Sequence, residues 1–257
     1  MGANNTFVIR YEWRRPGMTA SRKPGKRPVP MPHLPRLFLL TALILAAPLA
    51  HADQGWYPLH ADDGAVIANY RVPVELESQI EKLPGVTVLG NPHGVVTLNE
   101  FYDLNCPYCR KAAGEIDKLL RSVPELRLVL VPFPVLGIAS IQAGKVELAV
   151  RRLATPQQFY EFHRRAMASR GVMDGNRAFA IAKAIGLDVK QVAKIANADS
   201  ITQAMIAHVR LGNALAIQAT PGFVIKGVAI NGYPGPKSLA RIIRSVERCD
   251  NVVCGKQ

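Results

Sequence analysis

The chain has 257 residues, of which 49% are hydrophobic, 20% are charged and four are cysteine, enough apolar material for a well-buried domain and too much for a disordered chain. The formal net charge of +13 suggests a nucleic-acid partner until it is mapped. Residues 1–52 hold eight basic side chains (Arg10, Arg14, Arg15, Arg22, Lys23, Lys26, Arg27, Arg36) against Glu12, which leaves 24 basic and 18 acidic residues dispersed without interleaved aromatics: a solvated surface and no nucleic-acid partner.

Leu37–Ala47 is an uncharged apolar run of eleven residues, too short to cross a bilayer comfortably and the right length for the core of a signal peptide. Arg36 precedes it, and Ala50, His51 and Ala52 supply a small-x-small cleavage pattern. The reading is a signal peptide over residues 1–52, cut after Ala52, and a periplasmic or secreted product; an uncleaved anchor is the alternative. The basic, proline-rich stretch before Met31 reads as a long n-region or as a start assigned too early, with Met18 or Met31 as initiator.

Residues 53–85, punctuated by Pro58, Pro73 and Pro84, read as a leader with a short helix over Val74–Leu83. Val86–Leu89 and Val95–Phe101 are strand-like runs joined by a Gly/Asn/Pro turn. A helical pattern runs from Cys106 to Ser122, and Leu126–Pro132 is a third strand. This β-α-β unit spans residues 86–137 and predicts an α/β fold. Residues 138–218 show helical periodicity throughout, with breaks that divide them into four or five helices and with Thr155, Asp174, Asp188 and Asp199 as N-cap candidates. In residues 219–257, Gly222–Lys226 and Val228–Ile230 pair around Lys226 and Gly227. Pro236–Cys249 is a closing amphipathic helix with Leu239, Ile242, Ile243 and Val246 on one face.

The chemistry concentrates at Cys106-Pro107-Tyr108-Cys109. Dithiol exchange needs two sulfurs able to bond, one a stabilised thiolate and the other able to resolve a mixed disulfide. Cysteines one helical turn apart stand roughly 5 Å from each other between Cα atoms, within disulfide range. At the start of a helix the first sulfur meets unsatisfied N–H groups and the positive dipole end, so Cys106 is the exposed nucleophile and Cys109 the resolving thiol. Pro107 fits the first helical position, where its missing N–H costs little. Arg110 and Lys111 add nearby positive charge. A CxxC can also be half of a metal site or a structural disulfide, but this one follows a strand and opens a helix. Glu100 shares the Val96–Leu98 face of its strand and points under the sheet's cover if that face is buried, or to solvent if the strand lies at an edge.

The segment from Glu100 through Phe101, Tyr102, Asp103, Leu104 and Asn105 to Cys109 resembles the active-site segment of DsbA-family thiol–disulfide oxidoreductases, and Thr220-Pro221-Gly222-Phe223-Val224-Ile225 resembles that family's second signature. The likeness runs from about Val86 to the last helix. It implies a thioredoxin-like fold whose β-α-β and β-β-α halves flank an all-helical insertion. It further implies that Pro221 is cis beside the sulfurs, that the backbone of Thr220 pairs with an extended substrate, and that Glu100 exchanges a proton with Cys109. The family's best-known oxidase carries Pro-His between its cysteines. Tyr108 stands there instead, and Thr220 also occurs in isomerase-like relatives, so oxidase and isomerase or reductase both stay open.

Cys249 and Cys254, with four residues between them and in an oxidising compartment, most simply form a local disulfide; a second redox site or a four-cysteine zinc site are the alternatives. The six histidines show no ligand spacing. The expected partners are exported proteins with cysteine pairs and a membrane redox protein that resets the pair, with no cofactor. Two other functions use the same residues: a copper-binding module with soft cysteine ligands, and a chaperone whose helical insertion holds unfolded chains.

Overall fold

Continuous apolar runs in the sequence become strands covered on both faces of one sheet. A computed structural model describes residues 57–255; the signal peptide expected over 1–52 and its expected cleavage point lie outside the described residues. In chain order the elements are β1 (Asn69–Arg71), α1 (Val74–Glu77), a 3-10 turn (Ile80–Lys82), β2 (Thr87–Gly90), β3 (Val96–Tyr102), α2 (Pro107–Ser122), β4 (Leu126–Pro132), α3 (Ile138–Leu153), α4 (Pro156–Ala168), α5 (Gly175–Ala184), α6 (Val189–Ala196), α7 (Asp199–Ala214), β5 (Gly222–Ile225), β6 (Val228–Asn231) and α8 (Pro236–Cys249).

The strand order is β1-β6-β5-β3-β4-β2, with β3 parallel to β4 and antiparallel to β5. The turn after β2 leads to β3, yet β2 pairs with β4, so the two strands joined by that turn are not neighbours. Leu98, Tyr102, Leu128 and Leu130 face α2 and α8 in the larger core, while Phe101, Val129 and Val131 face Leu211, Leu215 and Ile217 in a second core on the opposite side. Each such fully buried side chain contributes roughly 1.5–3 kcal/mol, and burial on both faces explains why these strands do not alternate with polar residues. The second face is closed by α7, which approaches so tightly that a Cβ at Gly212 would stand 2.5 Å from the Phe133 ring.

The segment read as a leader is integrated into the sheet. β1 adds an antiparallel edge strand to β6, and buried His208 of α7 bridges the carbonyls of Pro84 and Pro132. Asp62 caps α8 from a distance: its carboxylate accepts from the backbone N–H of Lys237 at 3.0 Å and of Ser238 at 2.7 Å. The residue before the helix, Gly235, has φ +90° and no side chain to cap with; a Cβ there would stand 2.6 Å from the Asp62 carboxyl carbon.

Two local expectations are corrected. The helix expected over Val74–Leu83 stops after one turn, and the 3-10 turn that follows points Ile80 into the core. Thr155, Asp174 and Asp188 cap their helices, but Ala198 is the N-cap of α7. Asp199 lies inside the first turn, where its charge still favours the positive end of the helix dipole.

Candidate active site

β3 ends at the level where α2 begins, and the short connection between them sets the site. Asp103, fully buried, accepts four hydrogen bonds: from the Asn105 backbone (2.8 Å) and the Ser140 hydroxyl (2.7 Å) on Oδ1, and from the backbones of Val135 and Leu136 (2.9 Å each) on Oδ2. Asn105 in turn donates to the carbonyl of Met173 at 2.8 Å and accepts from its N–H at 2.6 Å. The loops before α3 and before α5 are therefore tied to the residues that precede Cys106.

Cys106 is the N-cap of α2, with φ −74° and ψ 120°, and Pro107 opens the helix. The backbone N–H of Cys109 points at the Cys106 sulfur at 3.4 Å, one of the orphan donors of a helix start. The Cys106 thiol reaches the carbonyl of Thr220 at 3.0 Å, across a Thr220–Pro221 bond that is cis. Asn231 holds that loop by accepting from Gln218 N–H at 2.7 Å and donating to the Ala216 carbonyl at 2.9 Å.

Both cysteines are free and buried. Cys106 is only 3% exposed, which corrects the expectation of an open nucleophile: Thr220 and the first turn of α2 cover it, while Tyr108 between the cysteines is 61% exposed. Its thiol is lowered to about 6. The hydrogen bond with Cys109 is the largest cause; burial opposes it, and bonds with the Thr220 side chain and the N–H groups of Cys109 and Tyr108 assist. The bond from the thiol to the Thr220 carbonyl favours the protonated form and is outweighed. Arg110 lies within electrostatic reach of both sulfurs, whose negative charges favour its cation, so it adds positive charge at the site. Arg110 is engaged with the carbonyls of Leu104 and Gly171, and Lys111 lies 5.9 Å from the centre of the Tyr233 ring. Burial, then the bond to Cys106 and the charge of Glu100, push the Cys109 thiol far up.

Glu100 is 2% exposed on the face of β3 that carries Val96 and Leu98. Burial first, and the negative charge of Cys106 second, raise its carboxyl to about 8, and its Oε1 has no hydrogen-bond partner among the described residues. It lines a cavity of about 150 Å³ shared with Arg110, Asp117 and His163.

Sequence reading missed a buried polar cluster one layer deeper. Tyr102 donates to Glu147 Oε1 at 2.8 Å, and His163 Nδ1 lies 3.2 Å from the same oxygen. These residues stand on β3, α3 and α4, and no local spacing connects them. Cys249 and Cys254 are joined by a disulfide with Cα atoms 5.9 Å apart at the end of α8. Among the described residues no group of three or more His, Cys, Asp or Glu side chains could hold a metal ion.

A cysteine pair at the start of the helix that follows a central strand, with β-α-β and β-β-α halves around five helices, defines a protein of thioredoxin-like fold with an all-helical insertion. A family model described as thioredoxin matches residues 82–245, and the chain belongs to that family. A thioredoxin-like oxidoreductase from Silicibacter pomeroyi superposes with a TM-score of 0.61 at 32% identity, covering 67% of this chain and 96% of that one. The thiol-disulfide exchange protein alpha-DsbA2 from Wolbachia pipientis shares the fold at a TM-score of 0.59 and 24% identity, covering 67% of this chain and 94% of that one. Na(+)/H(+) antiporter NhaA 1 of Mycobacterium sp. is 26% identical over 163 residues, 62% of this chain; the chain spans about a quarter (26%) of the length of these curated relatives.

Proposed function

We propose that the protein is an exported enzyme that exchanges disulfides with polypeptides carrying cysteine pairs, through Cys106 and Cys109. The observation that carries this reading is the pair itself: a sulfur lowered to about 6 at a helix N-terminus, within a turn of a buried thiol that faces an unpartnered carboxyl.

In the reduced form, the Cys106 thiolate attacks a substrate disulfide; one Cys106–substrate bond forms and one substrate thiolate leaves. Cys106 then bears no charge, which removes the second cause of the raised Glu100 value. Glu100 becomes the stronger acid, gives up its proton to solvent, and its carboxylate takes the proton of Cys109. The Cys109 thiolate attacks Cys106 Sγ, closes the Cys106–Cys109 disulfide and releases the second substrate thiolate. Two electrons pass from the pair to the substrate. The reverse sequence forms a substrate disulfide and reduces the pair.

Direction depends on a membrane oxidase or reductase that resets the pair. A Cys106 value of about 6 lies between a thiol of about 3.5 in a strong oxidant and about 7 in a reductant, and Tyr108 supplies no cation to stabilise the thiolate further. Both favour a moderate potential suited to isomerisation or reduction as well as oxidation. The Cys249–Cys254 disulfide and the signal-like segment over 1–52 support an oxidising compartment, the periplasm or the exterior. Cys106→Ala is expected to keep the fold and lose dithiol-dependent insulin reduction; retained activity in that variant excludes the mechanism.

A further inference from the structure

The helical insertion carries a groove that the exchange chemistry does not use. It lies between α3 and α7 beside the loop that follows β4, and its volume of about 510 Å³ is within the range of ligand sites. Met205 and Ile206 of α7 meet Val135 and Ile141 across it, and its charged groups are Lys145 and Arg210, with no carboxylate in the lining. Neither cation forms an ion pair with a described residue.

The pattern of α7 explains the apolar floor. Ile201, Ala204, Met205, His208 and Leu211 are buried against the rest of the fold, while half-buried Ile206 and Val209 stand beside Met205 along the groove. The loop at the rim of the groove is also tied to the segment that precedes Cys106. Leu136 on the loop that borders it is 52% exposed and Ile138 at the start of α3 is 76% exposed, and Asp103 and Asn105 hold that loop and the first turn of α3 through Val135, Leu136 and Ser140. Exposed Val172 lies beside Met173, which Asn105 also holds. Exposed apolar side chains thus stand on the segments that Asp103 and Asn105 tie down and at the rim of the α3–α7 groove, and exposure of this kind marks an interaction surface.

We infer that the α3–α7 groove holds an apolar, acidic-ended segment of the polypeptide that reacts at Cys106. Branched or aromatic side chains of that segment fill the floor, and its carboxylates pair with Lys145 and Arg210. The identity of the occupant as a redox substrate rests on the function proposed above; the binding chemistry of the groove does not.

The test uses the full chain, as wild type and as the K145E/R210E double variant. The probe is a short fluorescein-labelled, cysteine-free peptide of Leu, Val and Phe ending in two glutamates, with a counterpart ending in two lysines. Wild type is expected to bind the glutamate peptide, and the double variant to bind it about tenfold more weakly and to prefer the lysine peptide, a swap that a merely structural role would not produce. In exchange assays the double variant is expected to show an increased KM for an unfolded disulfide-bonded polypeptide with an unchanged rate toward dithiothreitol. Equal binding by both proteins, or no binding of either peptide by the wild type, overturns the inference. So does a groove that instead governs adsorption to phosphatidylglycerol vesicles or self-association, read as loss of either in the double variant without peptide binding. Peptide binding with the charge swap but no dithiothreitol exchange by wild type would leave the groove standing and remove the redox reading; the converse would do the opposite.

Discussion

The sulfur of Cys106 stands 3.0 Å from the carbonyl oxygen of Thr220, although 114 residues separate them in the chain. This contact joins the helix start that activates the thiol to the loop that covers it. The Thr220 side chain also bonds the sulfur and lowers its value. Thr220→Val is therefore expected to raise the Cys106 value above about 6 by about one unit, read from thiolate absorbance against pH. The folded-state value is depressed from 9.0 to about 6, so the contribution of Cys106 to the stability of the reduced protein is complete above about 9 and is lost as pH falls through about 6. An unshifted absorbance midpoint in the variant would remove Thr220 from the activation.

Glu100 carries the opposite sign. Its folded value is raised from 4.5 to about 8, so its contribution is fully present below about 4.5 and is lost as pH rises through about 8. At neutral pH the buried carboxyl already costs the fold several kcal/mol relative to low pH. Glu100→Gln is expected to stabilise the reduced protein by roughly 2–3 kcal/mol at pH 7 in urea unfolding, and by much less at pH 5. The same variant is expected to slow Cys109 attack on a mixed disulfide about a hundredfold. Unchanged stopped-flow rates across pH would sink the proton-transfer role.

Tyr108 is exposed between the two cysteines and is free to change without disturbing the core. Tyr108→His is expected to lower the Cys106 value by about one unit and to make the pair more oxidising by about 30 mV, measured by equilibration with glutathione. A potential that does not move would mean that the dipeptide does not tune this site.

The reading of the chain succeeded where physics is local. Cys106 is the N-cap and Pro107 the first helical residue because cap chemistry is written in adjacent positions, and Leu126–Pro132 and Pro236–Cys249 match because their apolar patterns are uninterrupted. It failed where partners come from distant segments. Nothing near Asp62 marks it as the cap of a helix that begins at Pro236, and Tyr102, Glu147 and His163 share one oxygen from three separate elements. The cover over Cys106 comes from Thr220, so its burial was invisible from the CPYC segment.

Asp103 offers a stability test of the loops around the site. Asp103→Ala strands the N–H groups of Val135 and Leu136 and the hydroxyl of Ser140, and is expected to cost about 3–5 kcal/mol in urea unfolding. Its signature is faster amide exchange at Val135 and Leu136 than in β4; a cost below about 1 kcal/mol would contradict the anchoring role.

Asp62 predicts a smaller, pH-dependent effect. Burial would raise its value, but bonds from the Lys237 and Ser238 backbones and the Ser238 side chain outweigh it and hold the value below 3.8. The stabilisation is present above about 3.8 and is lost as pH falls through the lower folded value. Asp62→Ala is expected to cost about 1 kcal/mol at pH 7, typical of a lost cap, and nothing at strongly acidic pH.

The central claim is that Cys106 takes the substrate and Cys109 releases it. The most direct measurement is to express Cys109→Ala in its native compartment, quench with acid, and identify by mass spectrometry what is disulfide-bonded to the protein and through which residue. The account predicts mixed disulfides between Cys106 and exported proteins with cysteine pairs, absent when Cys106 is also replaced. Adducts that persist in the double variant, or none at all on Cys106, would contradict it.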